Sequence, residues 1–322
     1  MRKVLGFSHN FPLGAVSEKL QNFEILMPSS SLGIFSDKEL ETILPNVDGF
    51  ICIADTPFGR HEFANAPRLA CLGNLGSGFN NIDVVEATER SIPVLNTPQA
   101  VVNPTAENTL SLILGLTRGT VRYDRSLRET GICPKELLSF ADMTLEGKTL
   151  GIVGYGRIGR RVGMLASAFG MHVVHTDSHS PESLPLEELL KQSDVVSLHL
   201  PYRPENHHLI NERTLSLMKP SAYLVNVSRG PIVKEDALVH ALRNNLIKGA
   251  GLDVHENEPF VSEEVRSLSN VVITPHISTN LAEIRFSMLA ELLEGMNTIF
   301  SSGKLPKNTV NSQELSIRRS KS

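Results

Sequence analysis

Leu150-Gly151-Ile152-Val153-Gly154-Tyr155-Gly156-Arg157-Ile158-Gly159 is the stretch that decides how this chain folds. A short apolar run ends directly in G-x-G-x-x-G. The glycines then open a helical pattern whose expected apolar face is Val162, Leu165, Ala166 and Phe169, with Gly170 where a left-handed cap ends a helix. Glycine-rich hexamers occur in many loops, but a strand before and a helix after make this one specific. Gly154 permits the tight turn, Gly156 lets a pyrophosphate approach the backbone, and Gly159 lets helix and strand pack closely. Arg157 and Ile158 complete the cradle, where the first amides of the helix carry partial positive charge toward phosphates.

The next apolar run, Met171–Thr176, ends in Asp177, 18 residues beyond Gly159. A carboxylate there accepts hydrogen bonds from the adenosine ribose and repels a 2′-phosphate. The reading is a dinucleotide site for NAD (NADH), with NADP disfavoured by Asp177. A glycine turn that only packs a helix onto a strand would need no such acid.

Working outward, β-rich apolar runs alternate with helical patterns throughout. Strands are expected at Lys3–Phe7, Phe23–Met27, Gly49–Ile53, Ala70–Asn74 and Val94–Asn96. A second series follows at Thr149–Val153, Met171–Thr176, Val195–Leu200, Tyr223–Val227, Ala250–Val254 and Val271–Thr274. Strands of the second series are nearly all apolar, as strands buried on both faces are. Ser36 and Glu39 form a capping-box pattern, and Asn103-Pro104 reads as an N-cap followed by proline at the first helical position. Arg118 to Lys148 reads as a polar stretch of mixed charge, and the last helical pattern runs from about Asn280 to Phe300. The βαβ rhythm predicts an α/β protein with two doubly wound parallel-sheet domains. One arrangement that fits is a domain inserted into another, the final helix returning to the N-terminal half; periodicity does not itself require that return.

The length of 322 residues suits two domains. Lys plus Arg number 31 and Asp plus Glu 35, a net charge of −4, so no basic excess points to nucleic acid. Hydrophobic residues at 41% are too many for disorder, and no apolar run approaches the roughly 20 residues that span a bilayer, so no membrane role is expected. Met1-Arg2-Lys3 and Val4–Phe7 resemble the start of a signal peptide, but the apolar part stops at Ser8-His9-Asn10. Cys52, Cys71 and Cys133 form neither a disulfide framework nor a metal pair, and no metal is expected. These bounds describe a cytoplasmic, reduced, soluble protein.

A nicotinamide enzyme needs a proton donor, a group to orient it and a cation for an anionic substrate. Ligands in open α/β sheets sit beyond the carboxyl ends of the strands, which selects among eleven histidines. His276 follows the run ending at Thr274, Arg229 follows Val227, and Asp253 and Glu258 follow Gly251-Leu252. Singly, each has an ordinary alternative: a loop salt bridge for Arg229, a turn carboxylate for Glu258, a structural imidazole for His276. Three successive strand ends beside a dinucleotide site make the joint coincidence improbable.

These residues also carry a family resemblance. Gly154–Gly159, Leu224–Gly230, Gly251–Pro259 and Thr274-Pro275-His276 resemble the signatures of the D-isomer-specific 2-hydroxyacid dehydrogenases, as do Leu75–Asp83 and Thr105-Ala106-Glu107. The resemblance covers most of the chain. It implies a flavodoxin-like substrate-binding domain at 1–98 plus 285–322 and an inserted Rossmann NAD-binding domain at 99–284. It implies hydride transfer from NADH to the carbonyl carbon of a 2-oxo acid. His276 would protonate the alkoxide, Glu258 would orient it, and Arg229 would bind the carboxylate and carbonyl oxygens. Leu75 and the amides of Gly76 and Ser77 would hold the far side of the carboxylate. Asp253 would accept from the nicotinamide carboxamide, Thr105 would line that pocket, and Pro201, Val227 and Ser228 would border the cofactor. A homodimer through the nucleotide-binding domain is implied too.

Departures narrow the reading. Asn74 stands where phosphoglycerate-type members commonly carry arginine, which counts against a phosphorylated substrate. Arg203 and Asn206 replace threonines, and Ser278-Thr279-Asn280 replaces a run of small residues. The expectation is an NAD-dependent oxidoreductase for a small 2-oxo or 2-hydroxy acid, with glyoxylate or hydroxypyruvate preferred. The alternatives are a short-form 3-phosphoglycerate dehydrogenase, using Arg60 or Arg68 near Asn74, and a non-catalytic NAD-sensing corepressor.

Overall fold

The computed structural model describes residues 2–28, 33–53, 56–133, 143–178 and 180–319. The end of the C-terminal tail, from Ser320 on, lies outside them. The chain divides into two compact units, Met1–Val101 with Leu281–Ser322, and Val102–Asn280.

The first unit contains β1 (Lys3–Phe7), β2 (Phe23–Leu26), β3 (Gly49–Cys52), β4 (Cys71–Asn74) and β5 (Val94–Leu95). All pair in parallel, in the order β2-β1-β3-β4-β5, which is the flavodoxin-like order. Helix α1 (Asp37–Ile43) starts with the expected capping box: Glu39 N donates to Ser36 Oγ, and Ser36 N donates to Glu39 Oε2 at 2.8 Å.

In the second unit, helices α2 (Val102–Thr117), α3 (Thr120–Thr130), α4 (Arg157–Ala168) and α5 (Glu235–Arg243) accompany six strands. The strands are β6 (Thr149–Val153), β7 (His172–Thr176), β8 (Val195–Leu198), β9 (Tyr223–Asn226), β10 (Gly249–Leu252) and β11 (Val271–Ile273). Their order is β11-β10-β9-β8-β6-β7, again all parallel. This is a doubly wound sheet whose direction of growth reverses between β6 and β8, with two strands rather than three on the β7 side. Side chains alternate between its two cores. Leu150, Ile152, Val195, Tyr223 and Val225 pack with Leu112, Ile113, Val162 and Ala166, whereas Val153, Val196, Leu198 and Leu224 pack with Leu238 and Leu242. Central strands β8, β9 and β10 are wholly buried; edge strands β7 and β11 are not.

The chain returns to the first unit through α6 (Ala282–Ser302), which lays Met288, Leu289, Leu292, Leu293 and Met296 against that unit's sheet. Gly73 on β4 faces this helix, where a Cβ would lie 2.8 Å from Met296 Cε and 3.3 Å from Leu292 Cδ1. Asn311 then clips β5, accepting from Val94 N at 3.0 Å and donating to Ile92 O.

Three local expectations change. Helix α2 opens at Val102, so Asn103 is inside the helix rather than its cap, and Pro104 sits in the first turn where no amide partner is lost. The polar stretch after Arg118 contains α3, none of whose residues is buried; its many charged residues read as a solvated stretch. Phe169 is 47% exposed, while Val162 and Ala166 carry the buried face of α4.

Candidate active site

The glycine loop has the predicted geometry. Gly154 leaves β6 at φ +93°, and a Cβ there would lie 2.8 Å from the His199 carbonyl carbon. A Cβ on Gly159 would lie 2.3 Å from Gly154 O, so any larger residue would push α4 off the sheet. At Gly156 a Cβ would meet nothing within 4 Å, so this face of the loop is open for an anion to approach the backbone at the start of α4. Asp177 follows β7, and its Oδ2 accepts from Tyr155 N at 3.0 Å, which ties the acid to the loop. Tyr155 also stacks on His175, centroids 3.9 Å apart. The donors, the open glycine face and the acid fit a dinucleotide.

Sheet register delivers the catalytic candidates. Asn226, Leu252 and Ile273 are neighbours across β9, β10 and β11, so the segments leaving them start on one rim. Arg229 lies three residues on, half-buried, its Nη1 donating to Ser228 O at 2.8 Å. Gly230 touches the next loop so closely that a Cβ would lie 1.8 Å from His255 O. Ser228 Oγ donates to Leu198 O at 2.5 Å, which ties Val227-Ser228 to the end of β8. Pro201 is exposed beyond that strand, and Asn206 shapes its loop by donating to Pro201 O and accepting from Arg203 N.

Glu258 and His276 meet. His276 Nδ1 and Glu258 Oε2 are 3.1 Å apart, with 35% and 34% of their side chains exposed. Glu258 Oε1 accepts from His255 N at 3.0 Å. Burial works against the Glu258 charge, yet the bonds from His276 and the His255 amide outweigh it and hold the carboxyl below its ordinary range. The pair is an imidazole oriented by an ionised carboxylate, which is the arrangement of a proton donor with its partner.

His276 has φ +53°, a left-handed backbone that costs a residue with a side chain about 1–2 kcal/mol. The loop offsets this with one carboxylate. Asp253, fully buried, accepts through Oδ1 from Thr274 Oγ1 (2.6 Å) and Ile277 N (2.9 Å), and through Oδ2 from Ser278 N (3.0 Å) and Ser278 Oγ (2.5 Å). His276 N donates to Asp253 O at 2.8 Å. A carboxylate has about four acceptor positions, and all are engaged. Contact between Asp253 and a nicotinamide carboxamide would require one of these donors to give way. Spacing revealed nothing of this loop-holding role, because the partners come from 21 to 25 residues downstream. Thr105 is buried in the first turn of α2.

In the first unit, Leu75-Gly76-Ser77 follows β4 and is pinned by amides. Asn74 is buried and donates to Gly78 O at 2.6 Å, while Asn81 Nδ2 donates to Asn74 Oδ1 at 3.1 Å and Asn96 Nδ2 to Ser77 O at 2.8 Å. The Leu75 amide bonds Cys52 O, and the Gly76 amide turns back onto Asn74 O at 2.8 Å. Of the amides expected to face a carboxylate, Gly76's is therefore engaged within its own loop, and Ser77's meets no acceptor among the described residues. The cations considered near Asn74 are elsewhere. Arg68 pairs with Asp48, which precedes β3 and so lies at the amino end of the sheet, and Arg60 pairs with Glu86.

The chain is similar to known proteins over most of its length. Residues 110–278 match the family model described as D-isomer specific 2-hydroxyacid dehydrogenase, NAD binding domain. A glyoxylate reductase of Pyrococcus furiosus is 38% identical over 99% of this chain and 98% of its own length. A glyoxylate reductase structure from Paecilomyes thermophila superposes with a TM-score of 0.86 at 28% identity, covering 97% of this chain and 99% of that one. An NADPH-dependent glyoxylate/hydroxypyruvate reductase from Sinorhizobium meliloti, in complex with citrate, gives 0.83 at 27% identity, covering 97% and 99%. Among the described residues no helix is long and apolar enough to cross a membrane. With a family-model match over more than half its length and a relative aligned almost end to end, the chain belongs to the D-isomer-specific 2-hydroxyacid dehydrogenases.

Proposed function

We propose that this dehydrogenase reduces a small, unphosphorylated 2-oxo acid of the glyoxylate or hydroxypyruvate class to its D-2-hydroxy acid, with NADH preferred to NADPH. The observation that carries the reading is the 3.1 Å bond between His276 Nδ1 and Glu258 Oε2 on the rim that also bears Arg229. A bound reduced nicotinamide supplies the hydride. In this reading Arg229 binds the substrate carboxylate and carbonyl oxygens and holds the carbon for attack. His276 donates a proton to the oxygen as the carbon–oxygen double bond becomes single, and regains one from solvent afterwards. Glu258 keeps the imidazole turned toward the substrate and balances its positive charge.

The buried, fully engaged Asn74 supports an unphosphorylated substrate, since it offers no charge to a phosphate. Asp177, held against the Tyr155 amide, supports NADH, since a 2′-phosphate would meet a carboxylate. The relatives leave this choice open, because one of them is NADPH-dependent. Dimerisation through the nucleotide-binding unit is supported by an apolar groove lined by Leu110, Leu114, Val121, Leu165 and Phe169. Phe169→Glu should then yield monomers in sedimentation, and an unchanged mass would move the interface elsewhere.

The test is NADH oxidation with glyoxylate, hydroxypyruvate, pyruvate and 3-phosphohydroxypyruvate in parallel. Turnover of either of the first two, lost in His276→Ala, supports the reading. Preference for the phosphorylated acid, or turnover that survives His276→Ala, overturns it. Asp177→Ala should narrow the preference for NADH over NADPH.

A further inference from the structure

We infer that Asn108 and Ser278 are positioning residues for His276, acting through Asp253. The inference rests on His276 being the proton donor.

His276 has a left-handed backbone in a loop whose residues on both sides are tied to Asp253. Of those ties, Ser278 contributes two, from its amide and its hydroxyl. A hydroxyl has one proton, and where it points depends on what the oxygen accepts. Asn108 Nδ2 donates to Ser278 Oγ at 2.8 Å, so the Ser278 proton is left to Asp253 Oδ2, 2.5 Å away. Ser278 is buried, 7% exposed, so water does not compete freely for that bond.

Asn108 is on α2, whose Ala106, Thr109, Leu112 and Ile113 are buried. The relay therefore runs from a packed helix through Asn108, Ser278 and Asp253 to the loop that presents His276. Without the hydroxyl, Asp253 Oδ2 keeps only the Ser278 amide, and the loop loses its tie to α2. The bonds from Thr274 Oγ1, Ile277 N and Ser278 N to Asp253 remain, and the loop that presents the ring to Glu258 is held less firmly. The run where small residues are usual in the family thus gains, at position 278, a side chain that fixes the loop.

Four variants test this: Ser278→Ala, which keeps the amide bond and removes only the hydroxyl, Asn108→Ala, Ser278→Thr, and His276→Ala as the reference. The expected result is a fall in kcat of about ten-fold or more for Ser278→Ala and Asn108→Ala, since small displacements of a reacting group are costly. KM for glyoxylate and Kd for NADH, read by fluorescence, should stay within about two-fold, and Ser278→Thr should recover most of the rate. The positioning role is overturned if both variants keep kcat within two-fold while His276→Ala is inactive. It is equally overturned if kcat falls only in step with NADH affinity, or if threonine fails to rescue. Full turnover by His276→Ala would instead overturn the reading on which the inference rests.

Discussion

Two loops in the nucleotide-binding unit leave their strands through left-handed backbone, and they reach it by opposite means. After β6, Gly154 has φ +93° and no side chain; a Cβ would strike the backbone of His199. After β11, His276 has φ +53° and must keep its side chain, because in the proposed mechanism the side chain is the chemistry. The first loop meets the demand by composition, with glycine. The second meets it with hydrogen bonds from Thr274, Ile277 and Ser278 to the buried Asp253. A backbone that need only come near a ligand can do without a side chain, whereas one that must present a side chain is held from outside.

The largest test of this contrast is to swap the failures. His276→Ala should lower kcat by about 10²–10⁴-fold while NADH binding stays within about two-fold. Gly154→Ala should lose NADH binding first. The same defect in both would end the distinction.

Next comes the carboxylate itself. Asp253→Asn turns a donor group toward amides and hydroxyls that need acceptors, and should cost about 2–3 kcal/mol in denaturant unfolding, along with turnover. A neutral substitution would mean that the Asp253 bonds do not hold the loop.

A pH titration probes the glycine side. Burial pushes the His199 imidazole down to about 3, so it stays neutral in the folded chain. Its ordinary value is near 6.5, so the unfolded chain takes up the proton first as the pH falls. Stability should therefore decline from about pH 6.5 toward 3, by up to about 1.4 kcal/mol per unit, and be unaffected by this group above 6.5. His199→Asn should flatten the decline in Tm between pH 7 and 5; an unchanged slope would assign it to other groups.

The smallest effect sharpens the comparison most. His276→Gly should be more stable than His276→Ala by about 1 kcal/mol, since only alanine retains the left-handed penalty. Equal stabilities would mean that the backbone at 276 carries no strain.

Much of this molecule was legible in its residues. Among the described residues the eleven strands lie where they were expected, with ends moved by a residue or two, and the central ones were plainest because strands buried on both faces are apolar throughout. The glycine loop and Asp177 were readable because their chemistry is local: a turn, a close approach, and an acid at the end of the next strand. Arg229, Glu258 and His276 could be named from their places after strands. Helix α3 was missed, because its charged residues read as a solvated stretch and none of it is buried.

What only the tertiary structure decided is how side chains far apart in sequence share their bonds. Asn74 proved to be a pin for its own loop, Gly76's amide turned inward, Arg68 went to the other end of the sheet, and Asp253 became the centre of the His276 loop. The physical reason is that backbone conformation and burial leave a repeating or positional trace along the chain. A hydrogen bond between Asn108 and Ser278, 170 residues apart, leaves none, since either residue alone is at home in any polar position.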